Sequence, residues 1–382
     1  MFFSFATSPS IHFGRKAAQQ AAPRIIGLSS RVLLVHGKSA ERAAWLVEDL
    51  TSQGATVETV SCLGEPDINA VSGALRTARA WRPGVIVGLG GGATIDLAKA
   101  LAALTPSTGP ILSYLEIVGD GKALDAAPLP FVAIPTTAGT GAEVTKNSVI
   151  GVPEAGKKVS LRAEAMIPDI AIVDPALTDG APAQVTLSSG LDAVTQVIEP
   201  YLSLKASPLT DALCRDAIPR GLRAVFRLAE GEDPQARDDL ALTSLFGGMA
   251  LANAGLGAVH GLAGVIGGRT GAPHGEICAT LLPHVLDHNA GALGQDSPAG
   301  QRMAEVRSWI AEALGVAPQQ AVNALHAKLK SIGIRSIGEL GLRHEDIARV
   351  AQEAAGASSS KTNPVPLTPD DYVAILEGCY PH

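Results

Sequence analysis

Asp192 and Gln196 stand four apart in GLDAVTQVIE, so a helix there places both side chains on one face. His260 and His274 stand fourteen apart in the later stretch VHGLAGVIGGRTGAPHGE. One carboxylate and two imidazoles are the donors of a three-ligand metal site that keeps a coordination position open. Each residue also has an ordinary reading. Asp192 near a helix start suits a dipole partner, and a histidine among Gly and Ala suits a hydrogen-bonded core position. Arg269, five residues before His274, has the chemistry to pair with a substrate carboxylate, or to stand as an exposed loop arginine.

A second group of residues suits phosphate. Gly88-Leu89-Gly90-Gly91-Gly92-Ala93-Thr94 follows an apolar run and precedes a helical pattern. Backbone N–H groups at such a turn, with a helix N-terminus behind them, receive anions. Gly suits the turn because a Cβ would hold the anion away from the amides. A second loop, PTTAGTGAEVT, brings the hydroxyls of Thr136, Thr137, Thr140 and Thr145 beside exposed amides. Two such loops at the ends of parallel strands point to one nucleotide-binding crevice. An earlier strand ends in His36-Gly37-Lys38-Ser39, with no acid to take a ribose 2′-hydroxyl. A glycine, a cation and a hydroxyl fit a 2′-phosphate better, so NADP(H) is expected ahead of NAD(H).

The elements that must position these residues change character along the chain. Arg31–His36, 55–60, 84–88 and 131–134 read as short apolar strands, separated by helical patterns over 40–54, Ile68–Trp81 and 94–103. This alternation predicts a parallel sheet covered by helices. Beyond Pro182 the periodicity is helical almost throughout: 187–201, 209–228, 236–254, 257–266, 301–314 and 319–331. Residues 1–182 are therefore expected to form an α/β dinucleotide-binding domain, and 183–382 an all-helical metal and substrate domain. Residues 356–366 read as a loop before a final helix near Thr368.

Composition narrows the function classes. The chain has 382 residues, 46% hydrophobic and 18% charged, which excludes a disordered protein and fits two or three domains. Aromatics are only 4%, too few for base-stacking platforms. Net charge is −7 with no Lys/Arg block, so nucleic acid is not an expected partner. The four cysteines are far apart in sequence and predict free thiols in a reducing, cytoplasmic setting. The opening MFFSFATSPS lacks the basic region of a signal peptide. The uncharged stretch 240–268 is rich in Gly and Ala, and is expected as buried helix rather than a membrane span.

The longer motifs resemble those of the iron-containing (group III) alcohol dehydrogenases. They are GLGGGATIDLAKA, IPTTAGTGAEVT, IPDIAIVDPALT, GLDAVTQVIEPYLSLKASPLTDAL and PHGEICATLLPHV, with Ile11-His12-Phe13-Gly14 at the start and Asn363-Pro364-Val365-Pro366 near the end. The family includes lactaldehyde reductase, 1,3-propanediol dehydrogenase and maleylacetate reductase. The resemblance implies a Rossmann-like α/β domain followed by a helical domain, an architecture shared with dehydroquinate synthase. It implies pyrophosphate contacts at Gly90, Gly91 and Gly92, with Asp96 and Lys99 on the following helix. It implies cofactor contacts at Thr136, Thr137, Thr140 and Thr145, and Lys158 near the nicotinamide ribose. It implies Fe²⁺ or Zn²⁺ at Asp192, His260 and His274. The sequence departs from the family at Gln196, where the second ligand is His, and at Gly264, where a further His lies. A neutral amide is a poor ligand for a borderline metal.

The function expected is hydride transfer between a nicotinamide cofactor and a small alcohol, aldehyde or ketone. With a metal, Asp192, His260 and His274 hold it. Without one, Gln196, His260 and His274 supply hydrogen bonds to the developing alkoxide. A maleylacetate reductase-like reductase of an oxo acid and a catalytically silent dinucleotide sensor are the alternatives. The family resemblance also implies a homo-oligomer.

Overall fold

The computed structural model describes residues 2–380. Its contacts divide it into two units. One comprises residues 7–137 and 141–179; the other comprises the chain from Gly180 onward, the segment Ala138–Thr140, and the N-terminal stretch up to Ala6.

In the first unit eight strands form: β1 (Ser10–Phe13), β2 (Arg31–His36), β3 (Thr56–Ser61), β4 (Val85–Gly90), β5 (Phe131–Pro135), β6 (Asn147–Val152), β7 (Lys157–Arg162) and β8 (Ile170–Val173). Six of them make a parallel sheet in the order β1-β8-β5-β4-β2-β3. The central strands β4 and β5 are buried along their whole length. A strand covered on both faces must be apolar at every position, which is why VIVGLG and FVAIP read as runs rather than alternations. Helices α1 (Ala21–Leu28) and α2 (Ala44–Ser52) belong to the core on one face of the sheet, with Ile25, Leu46, Val32, Leu34 and Ile134. Helices α3 (Ile68–Trp81), α4 (Gly92–Leu104) and the short α5 (Ile111–Tyr114) belong to the core on the other, with Leu75, Leu101, Ile86 and Leu33. Asp67 caps α3 by accepting from the Ala70 N–H at 2.7 Å.

Strands β6 and β7 form a separate antiparallel hairpin, from Asn147 opposite Arg162 to Val152 opposite Lys157. The alternation of NSVIGV and KKVSLR around a Pro-Glu-Ala-Gly turn carries its signal.

The second unit is helical: α6 (Ala183–Leu202), α7 (Pro208–Glu230), α8 (Pro234–Ala254), α9 (Ala258–Thr270), α10 (His274–Ala292), α11 (Pro298–Leu314), α12 (Ala321–Ser331), α13 (Ile347–Ala355) and α14 (Pro369–Gly378). Helix α6 is buried without interruption from Gly190 to Leu202. The uncharged stretch 240–268 falls on α8 and α9, which bend by 100° at the break between them. Among the described residues no single helix is long and apolar enough to cross a membrane.

Candidate functional site

The strand order places the nucleotide-binding features. The chain moves outward from β2 to β3, then returns to the far side of β2 as β4. The order reverses between β2 and β4, and in such sheets ligands sit beyond the carboxyl ends of the strands at that reversal. Register sets the level: His36 lies opposite Leu89, and Gly90 opposite Pro135. The turns after β2, β4 and β5 therefore begin side by side.

The structure brings Gly37, Gly90, Gly91, Thr94, Thr136 and Thr137 together there. The Thr136 N–H donates to the Gly90 carbonyl at 2.9 Å, tying the two loops. A Cβ on Gly90 would meet the Thr94 hydroxyl at 2.5 Å, so glycine at 90 is required by helix α4 itself. A Cβ on Gly91 would lie 3.3 Å from Thr137 Oγ1, and one on Gly37 3.9 Å from Thr94 Oγ1. Gly91 is the N-cap of α4, and no side chain caps that helix start. The first amides of α4, from Gly92 on, thus lack a side-chain acceptor and face the loop. Lys38 and Ser39 are exposed just past β2, as is the acid Glu41.

Other expected cofactor residues have structural partners. Lys99 is fully buried and donates to the carbonyls of Ala142, Thr145 and Asn147 and to Thr145 Oγ1, at 2.7–3.0 Å. Lys99 and Thr145 thereby pin the second loop onto α4. Burial pushes the Asp96 carboxyl up and the Lys99 ammonium down, each opposed by the charge of the other. Lys158 lies on β7, ion-paired with Glu65. Thr140 sits with the helical unit, where its carbonyl accepts from Gln196 Nε2 at 2.8 Å.

In the helical unit, one face of α6 carries Asp192, Gln196 and Glu199, at i, i+4 and i+7. His260 is in the first turn of α9; His274 opens α10, and Cys278 follows one turn later on the same face. Glycine makes the approach of α10 feasible. A Cβ on Gly275 would lie 2.0 Å from the Ser188 carbonyl oxygen on α6.

Asp192, His260, His274 and Cys278 converge, with one donor atom from each within 4.8 Å of all the others. Asp192 Oδ1 lies 3.3 Å from His260 Nε2 and 3.7 Å from His274 Nε2. Cys278 Sγ lies 3.6 Å from His274 Nε2. Glu199 completes the arrangement from behind. Its Oε1 accepts from the Val259 N–H at 2.7 Å, and its Oε2 lies 2.6 Å from His260 Nδ1. An acceptor at Nδ1 fixes a proton there and leaves Nε2 facing Asp192.

Asp192 Oδ1 and His260 Nε2 are both enclosed and neither makes a hydrogen bond. Leaving such groups unsatisfied costs about 1–3 kcal/mol each. Burial alone would push the His260 imidazolium down, but Glu199 and Asp192 outweigh it and hold it up to about 10. Burial likewise works against ionisation of Asp192, yet His274 and His260 keep its carboxyl low. The pocket therefore demands a positive charge between its carboxylates. A divalent cation meets that demand and also satisfies both orphaned atoms, so the donor set fits a metal ion.

One expectation needs correction and two residues were missed. Arg269 lies in the last turn of α9 rather than on a loop, and its Nη2 donates to Glu353 at 2.6 Å. One amide hydrogen of Gln196 is committed to the Thr140 carbonyl, a loop-holding contact. At Gly264 a Cβ would meet nothing within 4 Å. Glu199 and Cys278 were not anticipated, although the spacing Asp192–Glu199 and His274–Cys278 put each on its helix face.

Residues 8–175 match the family model described as iron-containing alcohol dehydrogenase, and residues 186–380 match that of the C-terminal part of the Fe-containing alcohol dehydrogenase family. Alcohol dehydrogenase 4 of Saccharomyces cerevisiae is 36% identical over 319 residues, spanning 82% of this chain and 81% of that protein. A crystal structure of 1,3-propanediol oxidoreductase superposes with a TM-score of 0.88 at 28% identity, covering 100% of both chains. Sulfoacetaldehyde reductase from Bifidobacterium kashiwanohense, solved in complex with NAD⁺, superposes with a TM-score of 0.86 at 26% identity over 99% of each chain.

Proposed function

Because the chain belongs to the iron-containing alcohol dehydrogenase family, we propose that it reduces small aldehydes or ketones and oxidises the matching alcohols with NADP(H) ahead of NAD(H), at a divalent metal held by Asp192, His260 and His274. NAD(P)-dependent alcohol and aldehyde oxidoreduction is the activity of the family, which uses NAD(H) and iron. The observation that carries the metal reading is the pair of enclosed, unsatisfied atoms, Asp192 Oδ1 and His260 Nε2, beside His274.

Residues 7–137 and 141–179 form the dinucleotide domain in this reading, and the helical unit the metal and substrate domain. The uncapped start of α4, with Gly91 and Gly92, receives the pyrophosphate, and Thr136 and Thr137 line the bound cofactor. Hydride passes from the nicotinamide to the carbonyl carbon, and the carbonyl oxygen takes up a proton to give the alcohol. The metal, when bound, polarises that carbonyl as a Lewis acid. Glu199 holds the proton on His260 Nδ1, so that Nε2 stays available as a ligand. Gln196 holds the Thr140 carbonyl in place. Arg269 donates to Glu353 through Nη2.

Asp192→Ala and His260→Ala are expected to lower kcat by about 100-fold or more, the loss of several kcal/mol of carbonyl polarisation. Dinucleotide affinity should stay unchanged in both. Wild-type turnover in either variant rejects the site. Lys38, exposed past β2, supports the NADP(H) preference through a 2′-phosphate contact. Lys38→Ala should weaken NADPH about tenfold in a fluorescence titration, as loss of a charge-assisted hydrogen bond does, and leave NADH unmoved. Tighter binding of NADH than of NADPH by the wild type would overturn the preference.

We place the enzyme in the cytoplasm, where its four free, buried cysteines stay reduced, and as a homo-oligomer, given the exposed Leu204 and Leu209 at the joint of α6 and α7.

A further inference from the structure

Four donor atoms gather within 4.8 Å of one another around Asp192, and one of them is sulfur. A tetrahedral ion with nitrogen and oxygen ligands at about 2.0–2.1 Å and sulfur at about 2.3 Å separates its ligand atoms by roughly 3.4 Å, or 3.6 Å where sulfur is one of the pair. The separations here are 3.3 Å from Asp192 Oδ1 to His260 Nε2, 3.7 Å from Asp192 Oδ1 to His274 Nε2, and 3.6 Å from Cys278 Sγ to His274 Nε2. Cys278 Sγ, within 4.8 Å of the other three donor atoms, thus belongs to the cluster. It is fully buried, as are Asp192 and His260, whose facing atoms have no hydrogen bond. It stands one turn into α10, where burial and the Asp192 and Glu199 carboxylates push the free thiol well up, so the thiolate forms only with a cation beside it.

We propose that the Cys278 thiolate is the fourth metal ligand of this protein, in the role that Gln196 does not fill, and that it makes the site select Zn²⁺ over Fe²⁺. The proposal rests on the reading of Asp192, His260 and His274 as metal ligands. As the metal–sulfur bond forms, the thiol proton leaves to solvent. Asp192 and Cys278 then carry two negative charges against the two positive charges of the ion. A thiolate is a soft donor, which shifts preference toward Zn²⁺.

Metal-free protein titrated with Co²⁺ tests this without reference to turnover. The wild type should develop a near-ultraviolet thiolate-to-cobalt charge-transfer band together with the visible bands of bound Co²⁺. Cys278→Ser and Cys278→Ala should keep the visible bands and lose the charge-transfer band. The Zn²⁺-over-Fe²⁺ preference, read by competition, should fall by about tenfold or more in Cys278→Ala. The wild-type spectrum needs no variant to fold, and Cys62, Cys214 and Cys379 are controlled by the two substitutions. Visible bands without a charge-transfer band in the wild type overturn the sulfur ligand and leave the metal site standing. A wild type that binds Co²⁺ no better than Asp192→Ala overturns both.

Discussion

Glu199 acts on two neighbours from one position on α6, bracing the Val259 N–H and His260 Nδ1 with its two oxygens. Such outer partners orient a ligand and raise its basicity, and their loss costs about 10–100-fold in metal affinity. Glu199→Gln should show a loss of that size in a Zn²⁺ competition titration, with the helix content of the protein unchanged. Equal affinity would mean that packing alone aims His260. Asp192, His260 and His274 were legible as a set because their types are those of metal ligands and their spacing is regular. Glu199 was not, because two turns of α6 separate it from Asp192 and its partner lies on another helix. Cys278 was read only for pairing with other cysteines. Its place opposite Asp192 follows from α10 beginning at His274, and Pro273 is the one local sign of that start.

At the scale of elements, β2, β4 and β5 were legible because burial on both faces forces continuous apolar runs. The β6–β7 hairpin was not, since its alternation is short and its turn falls in a polar stretch. Helix α10 was also missed, with Pro283 inside it and several histidines along it. One of these, His284, faces His326 on α12 at a ring separation of 5.1 Å. Burial pushes His284 down to about 4, and the nearness of His326 adds to this. The unfolded chain takes up this proton near pH 6.5, so between pH 6.5 and 4 it binds more protons than the folded one. The stability that His284 contributes is full above that window and is lost as pH falls through it. Since the ring is partly exposed, about 1–2 kcal/mol is the size expected. Urea unfolding of His284→Gln should therefore show a flatter acid limb than the wild type between pH 7 and 4. An identical limb would place the acid sensitivity elsewhere.

At the scale of the whole molecule, two kinds of chemistry reside in two kinds of architecture. The parallel sheet supplies a strand reversal and an uncapped helix start, which are features of backbone. The helical unit supplies converging side chains, which are features of residue type. Backbone features could be read from patterns of Gly and apolar runs, whereas the cluster could be read only in part, because convergence of α6, α9 and α10 depends on close approaches such as that of Gly275 to Ser188. The most direct test of the account is turnover by chelator-stripped protein, with NADPH binding monitored in the same sample. The expected result is unchanged dinucleotide affinity, aldehyde reduction lowered by about 100-fold or more, and recovery on adding back a stoichiometric divalent ion. Full reduction by the stripped protein would contradict it.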